Sequence, residues 1–175
     1  RSDGTEAGTN LVHDINPNGD AYPYHYTGMN GEVFFSAIDG VHGLELWKTD
    51  GTVPGTVLVK DINPGSADGS PWKFAVHQNV LYFAANDGVN GMELWRSDGT
   101  DAGTYLVKDI LPGAAGSDPL QLVSNGNLLF FTANDGTSGP EVWISNGTTN
   151  GTQLVTDLYP GNSTFYPPAG LTPFG

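Results

Sequence analysis

The chain has 175 residues, with 19 acids against 6 bases and a formal net charge of −13, no cysteine, 25 glycines and 12 prolines. That balance excludes a phosphate-binding surface for nucleic acid, and it excludes an anionic membrane as partner, because both need clustered Lys and Arg. No disulfide can hold the fold, and no apolar run has the length of about 18 residues that a membrane-spanning helix requires.

Taken from the N-terminus, the first recognisable element is Ser2-Asp3-Gly4-Thr5, followed by Gly8-Thr9 and Leu11-Val12-His13-Asp14-Ile15. The same sentence returns downstream in fuller form. Glu45-Leu46-Trp47 leads to Thr49-Asp50-Gly51-Thr52, Gly55-Thr56 and Leu58-Val59-Lys60-Asp61-Ile62. Glu93-Leu94-Trp95 and Glu141-Val142-Trp143 follow, each 48 residues after the last, and each leads to its own turn and closing strand. Periods of this size mark propellers, solenoids or arrays, since one unit cannot bury its apolar face alone.

The middle unit predicts four strands: 72–77, then a tight turn at Gln78-Asn79, 80–85, a Gly-rich loop, 92–97, a turn over 98–103, and 104–110. β-Branched and aromatic residues fill the runs, and Gly, Asn, Asp and Pro fill the gaps. No stretch carries a helical period. Leu81, Tyr82 and Phe83 are consecutive, so apolar side chains point to both faces of the strand. A sheet with one wet face would alternate polar and apolar. The fold class expected is therefore all-β, a β-propeller-like array of four-stranded antiparallel repeats. The expected division is one repeat domain over 1–175. It comprises a partial repeat at 1–17, whole repeats at 18–64, 65–112 and 113–160, and the start of another at 161–175. Four copies of strand four stand against three of strands two and three, so further repeats or another chain are expected to complete the array.

The Glu-Leu-Trp-x-Ser/Thr-Asp-Gly-Thr core, complete at 45–52 and 93–100, resembles the bacterial ELWxxDGT tandem-repeat proteins. The third copy departs from it at Val142 and Asn146. The resemblance implies a secreted or cell-surface, propeller-like array, and it implies no enzymatic activity. The turn also resembles an Asp-box. In such a turn the Asp side chain accepts backbone N–H groups while Gly takes a positive φ. Asp3, Asp50, Asp98 and Asn146 are thus expected to be structural, Asn keeping the turn and dropping the charge.

Candidate sites are then weighed against this scaffold. Asp39, Asp87 and Asp135, with Asn86 and Asn134, lie in Gly-rich loops; turn capping is the simpler role, and Ca²⁺ is the cofactor such oxygens would take. Glu45, Glu93 and Glu141 are expected to be scaffold residues, solvated at an edge or paired with Lys60, Lys108 or a backbone N–H. Trp47, Trp95 and Trp143 are expected in the core between repeats. Tyr22, Tyr24, Tyr26, Trp72, Phe165 and Tyr166 stand off the consensus and are the candidates for a ligand or partner surface, glycans included. Asn146, Asn150 and Asn162 begin Asn-x-Ser/Thr sequons, so they are candidate glycan acceptors. His13, His25, His42 and His77 are scattered, and the only arginines are Arg1 and Arg96, so no catalytic residue is assigned. The function expected is a non-enzymatic extracellular module for structural assembly or adhesion. Its partners would be further repeats, a homo-oligomer or a filament, with no nucleic acid and no membrane insertion. The alternative is a lectin-like module that binds carbohydrate or calcium.

Overall fold

The computed structural model describes residues 1–158, 160 and 170–172. Phe165, Tyr166 and Asn162 lie outside the described residues.

Among the described residues there are twelve strands and no helix. Sheet A holds β1 (Tyr24–Met29), β2 (Glu32–Ala37), β3 (Glu45–Thr49) and β4 (Val57–Lys60). Sheet B holds β5 (Trp72–His77), β6 (Val80–Asn86), β7 (Met92–Ser97) and β8 (Tyr105–Lys108). Sheet C holds β9 (Leu120–Ser124), β10 (Leu129–Asn134), β11 (Pro140–Ser145) and β12 (Gln153–Thr156). Each is an antiparallel meander in chain order. The registers repeat: Phe35 faces Trp47, Phe83 faces Trp95, and Phe131 faces Trp143.

Local chemistry explains the hairpins. Asn30-Gly31 and Gln78-Asn79 join strands one and two with φ positive at both turn residues (55° and 83°; 51° and 59°), the twist that a two-residue hairpin favours. In the third unit a longer loop forms, and the Asn125 carboxamide oxygen accepts the N–H groups of Asn127 and Leu128.

The sheets stack face to face, with β1 beside β5 and β5 beside β9. One core lies between A and B, where Phe34, Leu46, Val59 and Ile62 meet Leu81, Phe83, Ala85 and Trp95. The same positions one repeat later form the core between B and C: Tyr82, Leu94, Val107 and Ile110 meet Leu129, Phe131, Ala133 and Trp143. A third, smaller cluster lies on the other side of sheet A. There Ile15, from the N-terminal segment, packs on Phe35, Ala37 and Trp47. Strands two and three are apolar on both faces because sheet B is covered on both.

The expected strand four, 104–110, is longer than the observed β8. Asp109 and Ile110 have already left the sheet to begin the crossing into the next unit. The first strand of sheet A begins at Tyr24, two residues after Tyr22 takes φ +43°.

Candidate functional site

Two side-chain networks recur with the repeat. The first ties the turn between strands three and four. Asp98 Oδ1 accepts the Thr100 N–H at 2.9 Å and its hydroxyl at 2.7 Å. Thr100 Oγ1 in turn accepts the Gly103 N–H at 3.0 Å. Below it Ser97 and Thr104 join hydroxyls at 2.7 Å. Asp3, Asp50 and Asn146 make the same pair of bonds to Thr5, Thr52 and Thr148. The Thr hydroxyl, then the backbone N–H, hold Asp50 and Asp98 below the usual carboxylate range. A Cβ on Gly103 would stand 2.0 Å from Asp98 Oδ1. Gly103→Ala is therefore expected to lower stability by about 1–3 kcal/mol in a thermal melt. Asp98→Asn should melt close to the wild type, because Asn146 accepts the same two bonds.

The second network centres on the glutamate of Glu-Leu-Trp. Glu45 and Glu93 are 0% exposed, and Glu141 is buried at the same register. Neither solvation nor a lysine explains the first two. Lys60 pairs with Asp101 at 3.1 Å, and the Lys108 ammonium donates to the Thr152 carbonyl at 2.9 Å. The Glu45 carboxylate accepts the N–H groups of Ile62, Asn63 and Gly69 at 2.8, 3.4 and 2.7 Å. Glu93 accepts those of Ile110, Leu111 and Ser117 at 3.1, 3.0 and 2.9 Å, and the Ser117 hydroxyl as well. Each glutamate thus fastens the crossing that carries the chain from one sheet to the next. Burial would be unaffordable for a carboxylate without such donors.

Burial pushes the Glu45 carboxyl up to about 7, against the pull of its backbone donors. Glu93 moves in the same direction for the same first reason. A raised folded-state value means the native state binds the proton more tightly than the unfolded chain. The contribution is therefore full below pH about 4.5 and is lost as pH rises through about 7. The urea midpoint should be higher at pH 5 than at pH 8, by up to about 3 kcal/mol in stability. Glu45→Gln should reduce that slope and leave the part that Glu93 contributes.

The loop acids are occupied locally. Asp39 Oδ1 accepts the N–H groups of Val41 and His42, and its Oδ2 meets His42 Nδ1 at 2.7 Å. Asp87 takes Val89 and Asn90, and Asp135 takes Thr137 and Ser138. Asn86 and Asn134 cap Gly88 and Gly136. Among the described residues no three His, Asp or Glu side chains converge as a metal site.

The aromatic candidates do not form one patch. Tyr22, Tyr24 and Tyr26 are exposed, and Tyr26 stacks on Phe35 with ring centres 5.8 Å apart. Trp72 is half-buried in a cavity of about 220 Å³ with His25, Ser70 and Met92, and the Lys73 ammonium lies 4.7 Å from its ring. Of the sequon residues, Asn146 uses its side chain in the turn and Asn150 is exposed.

Sequence reasoning expected the array to need completion by further repeats but did not name the residues on the outward face of sheet C. Val107 and Ile110 are 2% and 6% exposed, whereas their counterparts Val155 and Leu158 are 49% and 52% exposed. Phe130 and Val142, which replace Tyr82 and Leu94 on that face, are only partly buried. The repeat itself carried the signal, since a position covered in two units is left open in the third.

Comparison with protein-family models, with curated proteins and with solved structures gave no match.

Proposed function

We propose that this chain is a non-enzymatic assembly module, a β-propeller-like stack of repeats that associates with further sheets of its own kind. The observation that carries the reading is the outward face of sheet C. It presents the residues that sheets A and B use to bind their successors, and leaves Val155 and Leu158 about half exposed. Sheets stacked this way have no natural stop, so apolar end faces act as joints. The resemblance to secreted ELWxxDGT repeats supports a place outside the cell or on its surface, in adhesion or a structural layer.

Sedimentation velocity over a concentration series tests the reading. The wild-type chain should associate as concentration rises, and Val155→Asp should shift it to monomer. A wild-type chain that stays monomeric into the hundreds of micromolar range (roughly the strength of a weak apolar contact) ends the proposal.

One feature favours a second reading, a carbohydrate-binding module. The positions where the three units differ most gather at the first strands: Tyr24-His25, Trp72-Lys73 and Leu120-Gln121. The Trp72 cavity has an aromatic face for a sugar ring beside polar groups. Binding on a glycan array that Trp72→Ala abolishes would favour it over assembly.

A further inference from the structure

At the ends of the first strands, the joint between sheets B and C holds a polar pair where the joint between A and B holds an apolar one. Met29 and His77 are equivalent residues, opposite Glu32 and Val80 across their hairpins. Val76 and Ser124 are likewise equivalent, opposite Leu81 and Leu129. Between A and B, Met29 lies in the core and Val76 packs against that core. Between B and C, His77 Nδ1 instead meets Ser124 Oγ at 2.8 Å. The His77 side chain is 2% exposed, and its Nε2 has no hydrogen-bond partner among the described residues.

A neutral ring suits this place and a charged one does not. In the imidazolium both nitrogens donate. Ser124 Oγ can accept from one of them while it also accepts the Gly126 N–H at 3.2 Å. The second N–H finds no acceptor, and no counter-charge is at hand. The strands packed on β5 are β1, β6 and β9. These four strands, and the turns at 78–79 and 125–128, contain no Asp or Glu, in a chain with 19 acids. Their other titratable groups are Lys73, itself a cation, His25, Tyr24, Tyr26 and Tyr82. The Tyr82 ring lies against His77, with centres 6.0 Å apart. His42 is the contrast, because Asp39 Oδ2 stands 2.7 Å from its Nδ1. Burial holds the His77 imidazole below the ordinary histidine range, whereas the hydrogen bond to Asp39 moves His42 upward.

We propose that His77 is a proton-operated latch between sheets B and C. In acid the ring takes up its proton in a state where water reaches it, so the ends of β5 and β9 part and that joint loosens. The joint between A and B, with Met29 in the same place, stays shut. Beyond the ring the two hairpin ends are tied by an exposed hydrogen bond, from Gln78 Nε2 to the Gly126 carbonyl at 3.1 Å. Parting there admits water without breaking the ladder of either sheet. A folded-state value below the ordinary 6.5 means the closed joint binds the proton less tightly than the open one. The latch therefore holds fully above pH 6.5 and weakens as pH falls below it. That direction opposes the slope set by Glu45 and Glu93, so the latch is read from one joint against the other and not from overall stability. It lies inside one chain and needs no association with a further copy.

The chain has no cysteine, so one introduced thiol reports on one joint. Ala85→Cys places it in the core between A and B, and Ala133→Cys places it at the equivalent position between B and C. Thiol labelling of the full chain is followed at pH 7 and pH 5, each rate divided by that of a free thiol peptide at the same pH. The ratio for Ala133→Cys should rise about tenfold from pH 7 to pH 5, as expected when the open joint binds a proton that the closed joint refuses. The ratio for Ala85→Cys should not rise. Adding His77→Met to the Ala133→Cys chain, which restores the residue found at Met29, should abolish the rise. Equal changes at the two thiols, no rise at Ala133→Cys, or a rise that survives His77→Met overturn the proposal. Titration of the wild-type ring nitrogens by NMR checks it without any substitution. A midpoint below 6.5 is expected, and a His77 ring already half charged at pH 6.5 or above overturns the proposal.

Discussion

Glu93→Ala is expected to lower folding stability by about 3–5 kcal/mol, a large part of what a domain of this size possesses. The size of the effect follows from what is left behind. Three backbone N–H groups and the Ser117 hydroxyl would stay buried without their acceptor. Each such group costs on the order of 1–3 kcal/mol, reduced where the crossing can loosen and admit water. Glu93→Gln keeps one acceptor oxygen but turns an amide donor toward other donors, so it should cost about half as much. Urea denaturation of the three proteins at pH 8 checks the order: wild type, then Gln, then Ala. If the Ala variant matched the wild type, the carboxylate would not be fastening the crossing.

Trp95→Ala should rank beside it, at about 3–5 kcal/mol, or roughly 10 °C in melting temperature for a chain of this length. The indole lies in the core between sheets A and B, facing Phe83 across the ladder. Its removal opens a cavity where two sheets meet. Trp95→Phe is the informative control. The indole N–H of Trp95 is buried without a hydrogen-bond partner, as are those of Trp47 and Trp143. Losing that N–H forfeits nothing, so the Phe variant should lose only packing and keep more than half of the stability that Ala loses. A Phe variant as unstable as Ala would show that the ring nitrogen matters.

The strands were legible in the sequence wherever apolar residues sat back to back. β5 and β7 fall on the expected residues, and β6 runs one residue longer. The glutamates were recognisable as scaffold, but their partners were not. The donating N–H groups of Ile62 and Gly69 lie 17 and 24 residues further along the chain and belong to a crossing with no regular pattern. A charged residue locked into an apolar repeat position was the available signal, because such a residue must be buried and paired. The shape of the first strands was not legible at all. His25, Lys73 and Gln121 take φ values of 59°, 58° and 53° at equivalent bulges, and Tyr22, Ser70 and Asp118 take 43°, 48° and 49°. These are six residues of differing type held in a conformation that favours glycine, so tertiary packing imposes the bulges and local preference does not. The same strands carry the residues that distinguish one unit from the next.

Native-state hydrogen exchange tests most directly whether the sheets shelter one another. Sheet B is covered on both faces, so the amides of Leu81 to Ala85 in β6 and of Leu94 and Trp95 in β7 should be the slowest in the molecule. Those of β12, where three of four residues are exposed, should be the fastest among the strands. Amides in β6 and β7 that exchange as readily as those of β12 would mean that sheet B is not enclosed by its neighbours, and the stacked arrangement would be wrong.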